Sequence, residues 1–223
     1  LLGTLLMSLF RSIGIDFNAQ LIWSTGNNKF FLVFMLIICF YLIIVGYYYG
    51  NDNVSNLKKI RKQSGKLISD FYLLFGYTAY INMGIVGLFS TFYLLIIGGT
   101  LNGPTIGGIF TIIGFGCFGK HIKNIVPIMI GTTIGGFISI HSLTDPGISL
   151  AILFSTCLAP IAGKFGWKLG ILAGICHAAL VTNVGYLHGG LNLYNNGLAG
   201  GFVAMILIPI ITTFKKEVRT DEF

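Results

Sequence analysis

Phe30-Phe31-Leu32-Val33-Phe34-Met35-Leu36-Ile37-Ile38-Cys39-Phe40-Tyr41-Leu42-Ile43-Ile44-Val45-Gly46-Tyr47-Tyr48-Tyr49-Gly50 carries no charge along its whole length. A helix of this size reaches about 30 Å, the thickness of a bilayer's hydrocarbon core, so the stretch reads as a spanning helix. The remaining chain extends that reading. Of 223 residues, 54% are hydrophobic and 9% charged, and the mean hydropathy is +0.84. Soluble domains carry about 25% charged residues. Here there are too few ionic groups to cover a water-facing surface, which excludes a soluble enzyme or a nucleic-acid binder. The 31 glycines beside 19 phenylalanines fit closely packed membrane helices. The expected fold is all-α, a polytopic transmembrane bundle with short, broken or re-entrant helices.

Working outward, residues 1–29 read as the end of a truncated spanning helix followed by an outer loop, because the opening Leu-Leu-Gly-Thr-Leu-Leu-Met has no basic leader. Residues 51–70 form a basic cytoplasmic loop, 71–214 a glycine-rich membrane core and 215–223 a polar cytoplasmic tail. Within the core, Phe71–Gly98 is long enough to cross but is interrupted by Tyr77–Gly84. Gly103–Phe118, Ile125–Ile140 and Ile148–Gly163 are each about 16 residues, or roughly 24 Å as helix. Leu169–Gly185 and Gly197–Phe214 are little longer. Short segments interrupted by Gly and Pro point to broken or re-entrant helices, since free backbone groups at membrane depth must face protein or a wet cavity. Short helices in a thinned bilayer are the plainer alternative.

Charge gives the orientation. With every segment counted as a crossing, Lys58, Lys59, Arg61, Lys62, Lys66, Lys120, Lys123, Lys164, Lys168, Lys215, Lys216 and Arg219 share one face. Only Arg11 and Lys29 fall on the other, with Asp16 and Asp145. By the positive-inside rule the basic face is cytoplasmic and the protein sits in the cell membrane. A re-entrant pair across 103–140 would leave the same sidedness. The GxxxG pairs Gly131/Gly135, Gly166/Gly170, Gly170/Gly174 and Gly197/Gly201 argue for one compact bundle. Cys39, Cys117, Cys157 and Cys176 lie in apolar runs and read as packing thiols, not as a disulfide or metal set.

All seven acidic residues map to loops, helix ends or the tail. Ion-coupled pumps and acid–base hydrolases rely on buried carboxylates, so neither class fits, and the reading is a non-enzyme with no catalytic, metal or cofactor set. The polar groups inside the membrane are His and Asn. His177 falls in mid-span with Thr182 and Asn183 beyond it. The stretch Gly185–Gly197 is uncharged and holds three asparagines. Folded back into the membrane it would line a solute path, making His177, Asn183, His188, Asn192, Tyr194, Asn195 and Asn196 the candidate pore residues. The plainer readings are a packing histidine and a surface loop. Lys120, His121, Lys123 and Asn124 form a candidate cytoplasmic mouth able to attract an anion at a helix start, or a simple positive-inside anchor.

The segment Gly114-Phe115-Gly116-Cys117-Phe118-Gly119-Lys120-His121, the run Leu158-Ala159-Pro160-Ile161-Ala162-Gly163, and His188-Gly189-Gly190-Leu191-Asn192-Leu193-Tyr194-Asn195-Asn196-Gly197 through Gly201 resemble a family of prokaryotic multipass membrane proteins, the domain of unknown function 1576. The likeness runs from about Phe71 to the end. Its members look like two tandem copies of one unit, so the resemblance implies that this chain is mostly the second copy. The missing tandem half or a homo-oligomer partner would then complete the assembly. A remoter likeness joins Gly190-Leu191-x-x-Tyr194-Asn195-x-Gly197-Leu198-Ala199-x-Gly201 to urea-transporter-like channels, without their Asn-Pro motif. It implies a channel-like pore. The leading expectation is therefore a transporter or facilitator for a small polar, neutral solute, with the lipid bilayer as its other partner. The alternative is a non-transporting scaffold or accessory subunit. An intramembrane enzyme built on His177 or His188 has no support from Cys/His spacing.

Overall fold

A computed structural model describes residues 2–15, 26–66, 70–139, 143–188 and 195–214. Among these residues every regular element is helical: α1 (Leu2–Ser12), α2 (Asn28–Tyr49), α3 (Asn53–Ile60), α4 (Phe71–Phe75), α5 (Thr78–Ile96), α6 (Gly103–Phe115), α7 (Ile122–Ile138), α8 (Pro146–Phe154), a 3-10 turn (Ser155–Leu158), α9 (Ala159–Phe165), α10 (Trp167–His188) and α11 (Asn195–Phe214). Five apolar stretches are long enough to cross a bilayer: Asn28–Tyr49, Thr78–Ile96, Pro146–Phe165, Trp167–Leu187 and Asn195–Phe214. The chain is an all-helical membrane protein. α6 and α7 are shorter, with 13 and 17 residues. The basic stretch 51–70 is not uniformly a loop, since it carries α3 and buries Ile60, Gln63 and Ser64.

Local chemistry sets the boundaries. The Asn27 side chain accepts the Phe30 N–H at 3.0 Å to open α2, and Asp70 Oδ1 accepts from Tyr72 and Leu73 to open α4. Asn102 and Thr105 form a reciprocal capping box at the start of α6, with Pro104 in its first turn. The span Pro146–Phe165 breaks in the middle. Pro160 has no N–H to give the Thr156 carbonyl, so the helical ladder cannot continue through it. The chain tightens to a 3-10 turn, and Ser155 and Thr156 donate their hydroxyls to the carbonyls of Ile152 and Leu153 at 2.8 and 2.7 Å. This broken span is the centre of the bundle: 78% of it is buried, against 17% of α2.

Two glycine-mediated pairings arrange the rest. α5 runs antiparallel to α2, with Gly46 against Ile81 and the Tyr77 carbonyl, and Gly84 against Ile43 and the Cys39 carbonyl. α7 and α10 run parallel. Gly131 meets the Ile171 carbonyl, Gly135 meets Ile175 and Ala178, and Gly174 meets the Ile128 carbonyl. Gly131, Gly135 and Gly174 thus bring two backbones into direct contact, while Gly170 meets Ala162 of α9 and the Pro127 ring of α7. The other two GxxxG pairs do not pack this way. Gly166 ends α9 with φ +98°, and Gly201 has no atom within 4 Å of where a Cβ would be. Ile109, Ile112, Ile125, Met129 and Ile152 fill the space between α6, α7 and α8.

α6 and α7 connect the two ends of the bundle. The Asn28 side chain accepts the Leu101 N–H at 2.8 Å just before α6, and the Gly116 carbonyl just after it accepts from Asn82, near the start of α5. α5 begins at the basic end, so the turn between α6 and α7 also lies toward that end. Gly131→Leu or Gly174→Leu should lower thermal stability in detergent by at least about 1–3 kcal/mol, the range for overpacking a tight core. Gly201→Leu, on an open face, should leave the melting temperature unchanged.

Candidate functional site

His177 is the eleventh of the 22 residues of α10 and is fully buried. Its Nε2 lies 3.2 Å from the backbone carbonyl of Asn196, the second residue of α11. Asn195 Nδ2 lies 3.6 Å from the point a Cβ on Gly185 would occupy. α11 therefore begins alongside the second half of α10, with Asn195 and Asn196 half-buried, and its positive dipole end lies there too. One turn further on, a Cβ at Gly200 would sit 2.5 Å from Cys157 Sγ and 3.9 Å from His177 Cδ2. Glycine is what lets α11 close on the 3-10 turn at this level. His177 Nδ1 and Asn196 Oδ1 are buried and have no hydrogen-bond partner among the described residues.

From Cys157 the polar groups continue toward the basic end. Thr156 Oγ1 accepts a hydrogen bond from Lys120 Nζ at 2.8 Å. The ammonium, on a side chain only 9% exposed, also stands 4.9 Å from the centre of the Phe115 ring. It sits by the C-terminal end of α8, where a helix dipole favours a cation. Burial nevertheless pushes the Lys120 ammonium down to about 8, as desolvation does to a charge with no carboxylate partner among the described residues. Lys120 lies in the turn that joins α6 to α7, and amides hold that turn. Asn82 Nδ2 donates to the carbonyls of Gly116 and Lys120 at 2.7 and 2.8 Å. Asn124 Nδ2 donates to the Gly119 carbonyl, and its Oδ1 accepts the His121 N–H.

Residues Gln63-Ser64-Gly65 cover this turn. His121 Nε2 donates to the Gln63 carbonyl at 2.8 Å. Gly65 lies against the Gly119 carbonyl, and Gly163 of α9 against the Ser64 carbonyl. Side chains at these glycines would hold the three backbones apart.

The seam brings together His177, Asn195 and Asn196 at one level, and Lys120, His121 and Asn124 at another. It does not include Asn183 or Lys123. Asn183 lies about 120° around α10 from His177. It is exposed and joins Gly135, Ser139, Ala179 and Thr182 in a separate cleft of about 330 Å³. Lys123 is exposed. His188 ends α10, and Asn192 and Tyr194 lie outside the described residues, as do His141, Asp16 and the basic residues of the tail. No three His, Cys, Asp or Glu side chains converge as a metal set among the described residues.

Sequence reasoning missed Thr156, Cys157, Asn82 and the buried Gln63–Ser64 contact. Cys157 read as a packing thiol, yet it is the link between Thr156 and α11. The signal for the link was Pro160, whose missing N–H falls opposite Thr156. Asn82 was visible as a lone amide inside an apolar run.

Titration of Lys120 should be measurable. Its folded-state value of about 8 is below the ordinary 10.5, so between these values the unfolded chain binds more protons and stability rises with pH. Thermal denaturation in detergent should show a gain of roughly 3 kcal/mol from pH 8 toward 10.5. Lys120→Met should abolish that rise.

No curated protein and no solved structure matches the chain. A family model described as "Protein of unknown function (DUF1576)" matches residues 50–213, from the C-cap of α2 to the last turn of α11, and so takes in the whole seam. The chain belongs to this family, DUF1576.

Proposed function

We propose that the protein is a membrane facilitator for a small polar solute, with the seam from Asn196 and His177 through Cys157 and Thr156 to Lys120 as its path. One observation carries this reading: the first turn of α11 lies against a fully buried His177 whose Nδ1 has no partner among the described residues. An ionisable group at that depth is a functional-site hypothesis in its own right. A helix N-terminus beside a span broken at Ser155–Leu158 is similar to the arrangement by which transporters bring backbone dipoles to a solute. The Gln63–Gly65 segment closes the seam at the basic, cytoplasmic end, so passage requires it to move.

The outward face of α11 around Gly197 and Gly201 is exposed. A tandem half or a second copy of the chain would find room there to complete the pore.

Reconstituted proteoliposomes test the proposal by stopped-flow swelling with a panel of small solutes: a polyol, an amide and an ammonium salt that releases ammonia. Uptake above empty vesicles is expected for at least one of them. Gly200→Leu, whose side chain would press into Cys157 and His177, should cut that uptake at least ~10-fold in protein that folds, the effect of about 1.4 kcal/mol on a barrier. Baseline flux for the whole panel would leave a non-transporting membrane scaffold as the function.

A further inference from the structure

We infer that the cleft between α7 and α10 seats an anionic glycerophospholipid, with one acyl chain in the cleft and the phosphate at Arg11. The site is separate from the seam and does not depend on what the seam carries. Its volume is about 330 Å³. Gly135 and Ile175 meet at its deep end. Ile138 and Ala179 form the middle, and Thr182 and Asn183 the shallow end. Ile138 is 77% exposed, so the cleft opens sideways to the lipid. Depth follows from helix geometry. α10 crosses as Trp167–Leu187, which puts Ile175 about 18 Å and Asn183 about 6 Å inside the end of that span at 1.5 Å per residue. The apolar floor thus lies in hydrocarbon, and the polar end at the level where lipid ester and head groups begin.

The chemistry at the mouth selects the occupant. Asn183 Nδ2 donates to the Ala179 carbonyl at 2.8 Å and to Thr182 Oγ1 at 3.3 Å, and Thr182 donates back to carbonyls of its own helix. With these protons spent inside α10, Asn183 and Thr182 present lone pairs, which a hydroxyl at head-group depth satisfies. Tyr186 follows one turn later on the same face of α10. Arg11 of α1 donates to the Tyr186 carbonyl at 3.0 Å, and its guanidinium stands 4.4 Å from the centre of the Tyr186 ring. A guanidinium has five N–H donors in a fork that matches phosphate, so it serves the Tyr186 carbonyl and a further partner together. A cation above an apolar groove complements a phosphate above an acyl chain, and does not complement the greasy flank of another spanning helix. Phosphatidylglycerol meets both features, because its head group carries hydroxyls and no cation beside the phosphate. Phosphatidylcholine would bring an ammonium toward Arg11 and has no hydroxyl to offer.

Native mass spectrometry of the intact chain, released from detergent with added lipid, tests the assignment. The probes are phosphatidylglycerol, phosphatidylcholine and diacylglycerol with identical acyl chains. Phosphatidylglycerol should stay bound, with each of the others weaker by about tenfold, the scale of a charge-assisted hydrogen bond. Ala179→Phe, on an exposed wall of the cleft, should lower phosphatidylglycerol binding by a similar factor. Arg11→Gln should reduce it to the diacylglycerol level, and gives an independent readout where the first variant does not fold. Equal retention of the three lipids, or full phosphatidylglycerol binding by a folded Ala179→Phe protein, overturns the assignment. So does a dimer that Ala179→Phe dissolves while lipid binding stays unchanged, which would make the cleft a seat for a second copy of the chain.

Discussion

In lipid, a carbonyl or N–H that loses its helical partner has no water to turn to, and this constraint shapes the centre of the bundle. Pro160 breaks the most enclosed span, and every group it frees must be met by protein. Ser155 and Thr156 turn their hydroxyls back on the preceding carbonyls, and Thr156 then receives the ammonium of Lys120. The broken helix thus meets a cation from the turn between two others. The Lys120 backbone carbonyl is in turn held by Asn82 of α5. The missing N–H is met locally, by Ala159 donating to the Thr156 carbonyl, and the Thr156 hydroxyl beside it ties the break to the turn between α6 and α7.

Close backbone approach makes this network possible. α7 and α10 touch through glycines on both sides, so the half of α10 that bears His177 is held rigidly beside the broken span. α11 meets the same region through Gly200. A bundle with ordinary side-chain spacing, roughly 8–10 Å between axes, would leave room for lipid or water between these groups. Here the polar atoms are confined to a narrow line.

Much of the architecture was legible in the sequence. The apolar run 30–50 and the short segments 103–118 and 125–140 are composition effects that tertiary structure does not alter. The Gly131/Gly135 pair and Gly174 were equally plain. Gly166/Gly170 and Gly197/Gly201 have the same spacing but different fates, because a GxxxG pair does not say whether a helix continues through it or what faces it. His177 and Asn196 stood out as polar residues in apolar surroundings. Their mutual contact did not, since it depends on where α11 starts relative to α10. Asn183 belonged to the same pattern by proximity in sequence but lies on another face of the helix. Lys120 read as an interfacial anchor or mouth residue, and its burial followed only once Gln63–Gly65 was seen to cover it.

That cover has a consequence for assembly. Residues 63–65 leave the ribosome long before Gly119 and Gly163, the two positions they lie against. They cannot reach their native seat until α6, α7 and α9 have been inserted and brought together. The segment must wait at the membrane surface, and its basic neighbours Lys58, Lys59, Arg61 and Lys62 suit it to lie against anionic headgroups meanwhile. A basic stretch that precedes α4 in the chain thus docks only after α9 has joined the bundle and so seals the polar turn late.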